Sequence, residues 1–268
     1  MPIFSPLSLY IHLPWCVRKC PYCDFNSHEV KGDLPESFYV QALLDTLDHY
    51  LPLIQNRPLI SIFFGGGTPS LFSGKSIDQI LNGAAQRLSF ALNIEITLEA
   101  NPGTIDQARF SAFRQAGVNR LSLGIQSLQD EKLKTLGRIH DQAQAMHAIS
   151  IAKEIGFDQM NLDLMYGLPD QSLDDAMSDL TQALSFSPSH LSWYQLTIEP
   201  NTLFYRHTPV LPPDDTIWEI QLAGQQLLNE KKFQQYEVSA YAKSNNTCLH
   251  NMNYWMFGDY LGIGAGRA

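Results

Sequence analysis

Apolar positions gather into short runs at residues 7–12, 59–64, 94–100, 120–125, 160–165 and 190–196, and each run reads as a β-strand. Between them apolar residues recur at helical spacing, as at Val40, Leu43, Leu44, Leu47 and Leu51, or at Ile77, Ile80, Leu81, Ala84 and Leu88. Comparable stripes run through Ile105, Ala108, Ala112 and Ala116, through Ala145, Ala148, Ile149 and Ala152, and through Leu173, Ala176, Leu180 and Leu184. This alternation predicts an α/β fold with a parallel sheet, because parallel neighbours need a crossover that a helix supplies. Right-handed crossovers repeated in this way give a partial barrel or a doubly wound sheet, and periodicity leaves both open. After Pro200 the rhythm changes to a proline-containing connection over 208–215, a helix expected around 217–231 and an aromatic-rich tail. A boundary is therefore expected near residue 200, with residues 1–200 as the β/α domain and 201–268 as a C-terminal extension.

Either architecture collects ligands at the carboxyl ends of its strands. The unusual residues fall there. A cysteine cluster follows the first strand, residues 65–70 the second, Glu99 to Pro102 the third and Gln126 the fourth, while Asp163 lies late in the fifth.

Composition narrows the possibilities. A chain of 268 residues with 44% hydrophobic and 17% charged positions can bury a large core. Its formal charge of −9 and pI near 5.3 argue against a general nucleic-acid surface and against binding acidic lipid head groups. The first twelve residues lack a basic segment leading into a long apolar stretch, and no run reaches the ~18 apolar residues of a membrane span. No transmembrane segment is expected, and the cytoplasm is the expected location.

Of the four cysteines, Cys16, Cys20 and Cys23 lie close together while Cys248 stands alone, a distribution that suits a metal site in a reducing compartment better than a disulfide framework. Cys16-Val-Arg-Lys-Cys20-Pro-Tyr-Cys23 is a C-x3-C-x2-C loop able to place three thiolates around one face of a cubane cluster. The fourth iron then has no nearby cysteine and is open to an external amino and carboxylate group. The competing reading is zinc completed by His12 or His28. Cys248 is read as structural, and Arg18 and Lys19 as solvated surface.

That loop, with Tyr22 before its last cysteine, resembles the signature of the radical SAM superfamily. Tyr10-Ile-His-Leu-Pro-Trp-Cys16, Gly65-Gly-Gly-Thr-Pro-Ser70, Glu99-Ala-Asn-Pro102 and Gly137-Arg-Ile-His140 narrow the likeness to the anaerobic coproporphyrinogen oxidase-like group, from residue 8 to the end. The resemblance implies a partial (β/α)6 barrel holding a [4Fe–4S] cluster on Cys16, Cys20 and Cys23, with S-adenosylmethionine (SAM) beside it. It also implies that Tyr10, Tyr22, Gly66, Gly67, Thr68, Glu99, Gln126, Arg138 and Asp163 line sites for one or two SAM molecules. On chemistry alone, the glycines permit close backbone approach and the four polar side chains offer carboxylates, an amide and a guanidinium fork.

The segment His250-Asn-Met-Asn-Tyr-Trp255 resembles a marker of the haem-chaperone branch of that group. An imidazole can ligate haem iron, and Tyr254 and Trp255 can pack on a porphyrin face. A plain aromatic hinge is the alternative. Two function classes follow: a carrier that binds haem and delivers it to apo-haemoproteins, and a radical enzyme that oxidatively decarboxylates coproporphyrinogen III. The enzymes have a further cysteine two positions beyond the third cluster ligand, where this chain has Phe25, so the carrier is the expected function. An electron donor, of unidentified nature, is implied for the cluster. The resembling proteins continue past the glycine-rich stretch from Gly262 to Ala268, so a truncated form is expected.

Overall fold

The computed structural model describes residues 5–266; Arg267 and Ala268 of the terminal stretch lie outside them. Strand β1 (Leu7–Leu13) leads into two short paired strands, β2 (Trp15–Cys16) and β3 (His28–Glu29). Five helix–strand steps follow: α1 (Glu36–Ile54) and β4 (Leu59–Gly66), α2 (Gly74–Ala85) and β5 (Phe90–Ala100), α3 (Gln107–Ala116) and β6 (Arg120–Gln126), α4 (Asp130–Thr135) with α5 (Gln142–Glu154) and β7 (Gln159–Tyr166), and α6 (Leu173–Ser185) and β8 (His190–Gln195). Helices α7 (Leu203–Arg206) and α8 (Asp214–Glu230) precede β9 (Gln234–Gln235), β10 (Ala240–Ala242), α9 (Leu249–Trp255) and β11 (Asp259–Ile263).

The six expected strands are β1, β4, β5, β6, β7 and β8, side by side in that order and all parallel. Among the described residues nine strands make up the sheet, in an open row with β11 and β9 at its edges. The fold is thus α/β with a parallel sheet, as periodicity predicts. Beyond residue 200 the chain returns to this sheet at both edges, β10 running antiparallel to β8 and β11 parallel to β1.

Helix boundaries follow local chemistry. Asp141 and Gln144 form a capping box at α5, and Ser172 and Asp175 form one at α6. Helix α8 starts directly after Pro213, with Asp214 and Asp215 in the first turn where the helix dipole favours them.

Side chains alternate along each strand between two faces. Leu9, Ile62, Phe64, Leu98, Leu123 and Leu162 point to the face that packs on Leu43, Leu47, Ile80, Phe110, Phe113 and Ile149 of the helices, in one continuous core. Full burial of such a side chain stabilises by roughly 1.5–3 kcal/mol, so this face holds the sheet to its helices. The other face is polar. Register sets Ser8 beside Ser61, Ser61 beside Glu95, Glu99 beside Ser122, Gly124 beside Asp163, and Asn161 beside His190. Helix α9 lies on the half of this polar face nearer the amino ends of the strands, where His250 meets Ser61 and Phe63.

Candidate functional site

Three backbone hydrogen bonds shape the cysteine loop. Cys23 N–H donates to the Cys20 carbonyl at 3.1 Å, closing a turn at Pro21, and Val30 N–H donates to the Cys16 carbonyl at 2.9 Å. Thr68 N–H donates to the Trp15 carbonyl at 2.7 Å, which ties the loop to the glycine-rich turn after β4. Gly67 makes that approach possible, because a Cβ there would stand 2.6 Å from the Trp15 carbonyl oxygen.

Arg138 arrives from the opposite side. Helix α4 ends in a Schellman arrangement, with Gly137 at φ +67° and Arg138 N–H donating to the Leu133 carbonyl at 2.9 Å. This aims the guanidinium at the cysteines: Nη1 lies 3.5 Å from Cys20 Sγ, and Nη2 donates to the Gly124 carbonyl at 2.7 Å. Its Nε is buried and has no hydrogen-bond partner among the described residues. Gln126 is re-aimed by a register shift between Gly124 and Gln126 and by its own φ of +67°, a strained value for a residue with a side chain. Tyr194 O–H donates to Gln126 Oε1 at 2.6 Å and fixes the amide.

These elements enclose a cavity of about 460 Å³ at the carboxyl ends of the strands. Cys16, Cys20, Cys23, Tyr22, Gly66, Gly67, Thr68, Glu99, Gln126, Arg138 and Asp163 all line it. Tyr10 and His250 lie outside the lining. The Tyr10 hydroxyl meets His12 Nδ1 at 3.1 Å, and its ring lies 6.3 Å from that of His250. Arg18, read from the sequence as plain surface, stands on the cavity rim beside the exposed Phe25. Ser122, Met165, Ser192, Tyr194 and Glu199 also line the cavity and were not anticipated. The first four belong to the polar face, and strict alternation in Ser122-Leu-Gly and His190-Leu-Ser-Trp-Tyr194 was the available signal.

Zinc finds less support in this arrangement. His12 Nε2 contacts the Asn26 carbonyl at 2.9 Å and its Nδ1 is taken by Tyr10, so both ring nitrogens are engaged. Neither His12 nor His28 lines the cavity with the thiols. Cys248 lies at the start of α9, where its thiol donates to Glu95 at 3.3 Å.

The cavity is acidic. Asp24, Glu99, Asp163, Glu199 and Glu237 face it against Arg18 and Arg138 alone among the charged side chains. Burial, reinforced by the charge of Asp163, pushes the Glu99 carboxyl up to about 8, and burial likewise raises Asp163. Two enclosed carboxylates therefore stand ready to be stabilised by a cationic ligand. Burial also raises the Cys16 and Cys23 thiols, so iron or another thiophilic metal would displace their protons on binding.

His250 is equally distinctive. The side chain is buried, Nδ1 lies 3.0 Å from Ser61 Oγ, and the ring stacks on Phe63 at 5.0 Å and meets Tyr254 edge-on at 5.2 Å. Burial lowers it to about 4, so the imidazole is neutral at physiological pH, and its Nε2 has no partner among the described residues. The turn beyond it exposes Trp255, Met256 and Phe257.

Comparison with known proteins adds names to this geometry. Residues 10–182 match the radical SAM superfamily. Over 261 residues the chain is 58% identical to the heme chaperone HemW of Escherichia coli, covering 97% of this chain and 69% of that one. It is 56% identical to the heme chaperone HemW of Haemophilus influenzae, over 99% of this chain and 70% of that one. Among solved structures, the coproporphyrinogen III oxidase HemN from Escherichia coli superposes with a TM-score of 0.86 at 25% identity, over 98% of this chain and 64% of that one.

Proposed function

The chain belongs to the radical SAM superfamily, within it to the HemW branch, and on that premise we propose that it binds haem at the 250–255 segment and delivers it to apo-haemoproteins. The superfamily implies a [4Fe–4S] cluster and SAM. In our reading Cys16, Cys20 and Cys23 hold the cluster, while Glu99, Gln126, Arg138 and Asp163, with Tyr22, Gly66, Gly67 and Thr68, hold SAM. Tyr10 supports this wall from behind His12. Residues 1–200 carry that apparatus and residues 201–268 bring the haem segment to it.

The fit rests on this chain's own atoms. Arg138 Nε is a buried donor without a partner, and Glu99 and Asp163 are enclosed carboxylates facing a ligand-sized space. When bound, the cluster would supply the electron for reductive cleavage of SAM. The protein's part is to present three thiolates on a rigid loop, to pair the ligand's positive charge with Glu99 and Asp163, and to keep the cluster edge next to a permanent guanidinium. Four free cysteines and an oxygen-sensitive cluster require a reducing compartment, which we take to be the cytoplasm. No helix among the described residues is long and apolar enough to cross a membrane.

The observation that carries the carrier reading is His250: a neutral imidazole with a buried Nε2, unpartnered among the described residues, packed edge-on against Tyr254 and followed by exposed Trp255 and Phe257. A neutral imidazole is the form that ligates iron. Because Nε2 is buried, haem ligation requires α9 to shift from its unliganded position. The oxidase reading meets an obstacle in the cavity, where Asp24, Glu199 and Glu237 add to the enclosed Glu99 and Asp163 against two guanidiniums, a lining unfavourable to a polycarboxylate substrate. His250→Ala is expected to weaken haem binding at least tenfold, about 1.4 kcal/mol, while leaving the cluster intact. Anaerobic haem titration and transfer to an apo-haemoprotein check this beside an assay of coproporphyrinogen III conversion, on a chain extended past Ala268 as well. Conversion without specific haem binding would overturn the carrier in favour of the enzyme.

A further inference from the structure

The cavity and the haem segment lie on one polar face, and a continuous run of hydrogen bonds joins them. On the cavity wall, Asp163 Oδ1 accepts from Asn161 Nδ2 at 2.7 Å. Asn161 Oδ1 lies 2.6 Å from His190 Nδ1, and His190 Nε2 lies 2.7 Å from the Tyr236 hydroxyl. The Tyr236 oxygen in turn accepts from Cys248 N–H at 3.3 Å and from Asn251 Nδ2 at 3.5 Å.

Donor rules give this run one direction. The Asn161 amide oxygen can only accept, so His190 carries its proton on Nδ1. Burial keeps the imidazole neutral, so Nε2 can only accept, and Tyr236 must donate to it. The Tyr236 lone pairs then face Cys248 N–H and Asn251. Every dipole points toward Asp163. Such a chain strengthens when its terminal acceptor is fully ionised, because each bond polarises the next.

We propose that Tyr236, acting through His190 and Asn161, is a positioning residue that couples occupation of the Asp163 side of the cavity to the order of residues 248–251 at the head of the haem segment. The inference rests on the cavity being the SAM site. A cationic ligand there fixes the Asp163 carboxylate in place, tightens the chain and secures Cys248 at the start of α9. The neighbouring Leu249 and His250 N–H donate to Glu95, outside the chain, at 3.0 and 3.1 Å, so the direct effect is read at Cys248.

The test is amide hydrogen exchange of the anaerobically reconstituted protein with and without SAM, with fragmentation that resolves Cys248 from Leu249 and His250, beside calorimetry of SAM binding. SAM should slow exchange at Cys248 on the order of fivefold in the parent protein. Tyr236→Phe, and independently His190→Phe, should bind SAM and lose that response. A merely structural role would raise exchange in the variants while leaving the SAM response in place, and that result overturns the proposal. SAM binding with no change at Cys248 in the parent protein overturns it while leaving the cavity assignment standing. Absence of SAM binding in calorimetry removes the cavity assignment and the coupling together.

Discussion

Glu95 and Glu99 lie on the same strand and the same face, four positions apart, and the structure uses them in opposite ways. Glu95 accepts hydrogen bonds from the Cys248 thiol and from Leu249 and His250 N–H, and faces the buried Arg120 at 3.9 Å. It is a strut that fixes the start of α9. Glu99 has the Gly66 N–H near it and the Asp163 charge against it, and its carboxyl is pushed up to about 8. A carboxylate supplied with several donors by the protein holds structure, whereas one enclosed with a single backbone donor and a like charge beside it is open to a cationic ligand. One end of the polar face is filled by α9 and the other is left open.

The cysteines at the open end should give the largest effect. Cys20→Ser removes one of three thiols from the cavity and should abolish the cluster, read as loss of iron and sulfide after anaerobic reconstitution and of the Mössbauer signature. Haem binding at the filled end should survive. Stoichiometric zinc in the reconstituted parent protein would refute the cluster assignment.

Glu95→Ala should come next. It leaves Arg120 buried without its ion partner and strips acceptors from two backbone amides, at a cost of about 3–5 kcal/mol in chemical denaturation. Glu99→Gln should instead spare or raise stability in the unliganded protein. If the two variants lose equal stability, the contrast between strut and ligand group fails.

A smaller, pH-graded effect sharpens the same contrast. Between the ordinary carboxyl value near 4.5 and about 8, the folded protein keeps a proton on Glu99 that the unfolded chain has released. Stability therefore falls as pH rises through that window, by at most about 1.4 kcal/mol per pH unit from this group. A cationic ligand favours the ionised carboxylate, so SAM affinity should rise with pH toward 8, by up to about tenfold per unit. Glu99→Gln should flatten both profiles, measured by urea denaturation and by calorimetry across pH 6–9.

Much of this was legible in the chain. All six expected strands form, and β5 differs most, starting at Phe90 because its pairing with β4 at Leu59 extends it beyond the apolar run. The cysteine loop, the glycine turn, Glu99, Gln126 and Asp163 were singled out by residue type and by position at strand ends, and Arg138 by the family resemblance, and they converge on one cavity. Strands β9, β10 and β11 were not foreseen, being too short or too polar for a pattern to register.

The sequence by itself determined the order of strands and helices and which residues carry reactive groups, because periods of 2 and 3.6 record which side of each element is buried. Tertiary structure decided which polar residues are saturated. Glu95 receives its donor from His250, 155 positions later, and Tyr10 lies beside His250 instead of on the cavity lining. No local pattern can encode those outcomes, since the fate of a polar side chain on a shared face depends on which distant segment arrives to cover it.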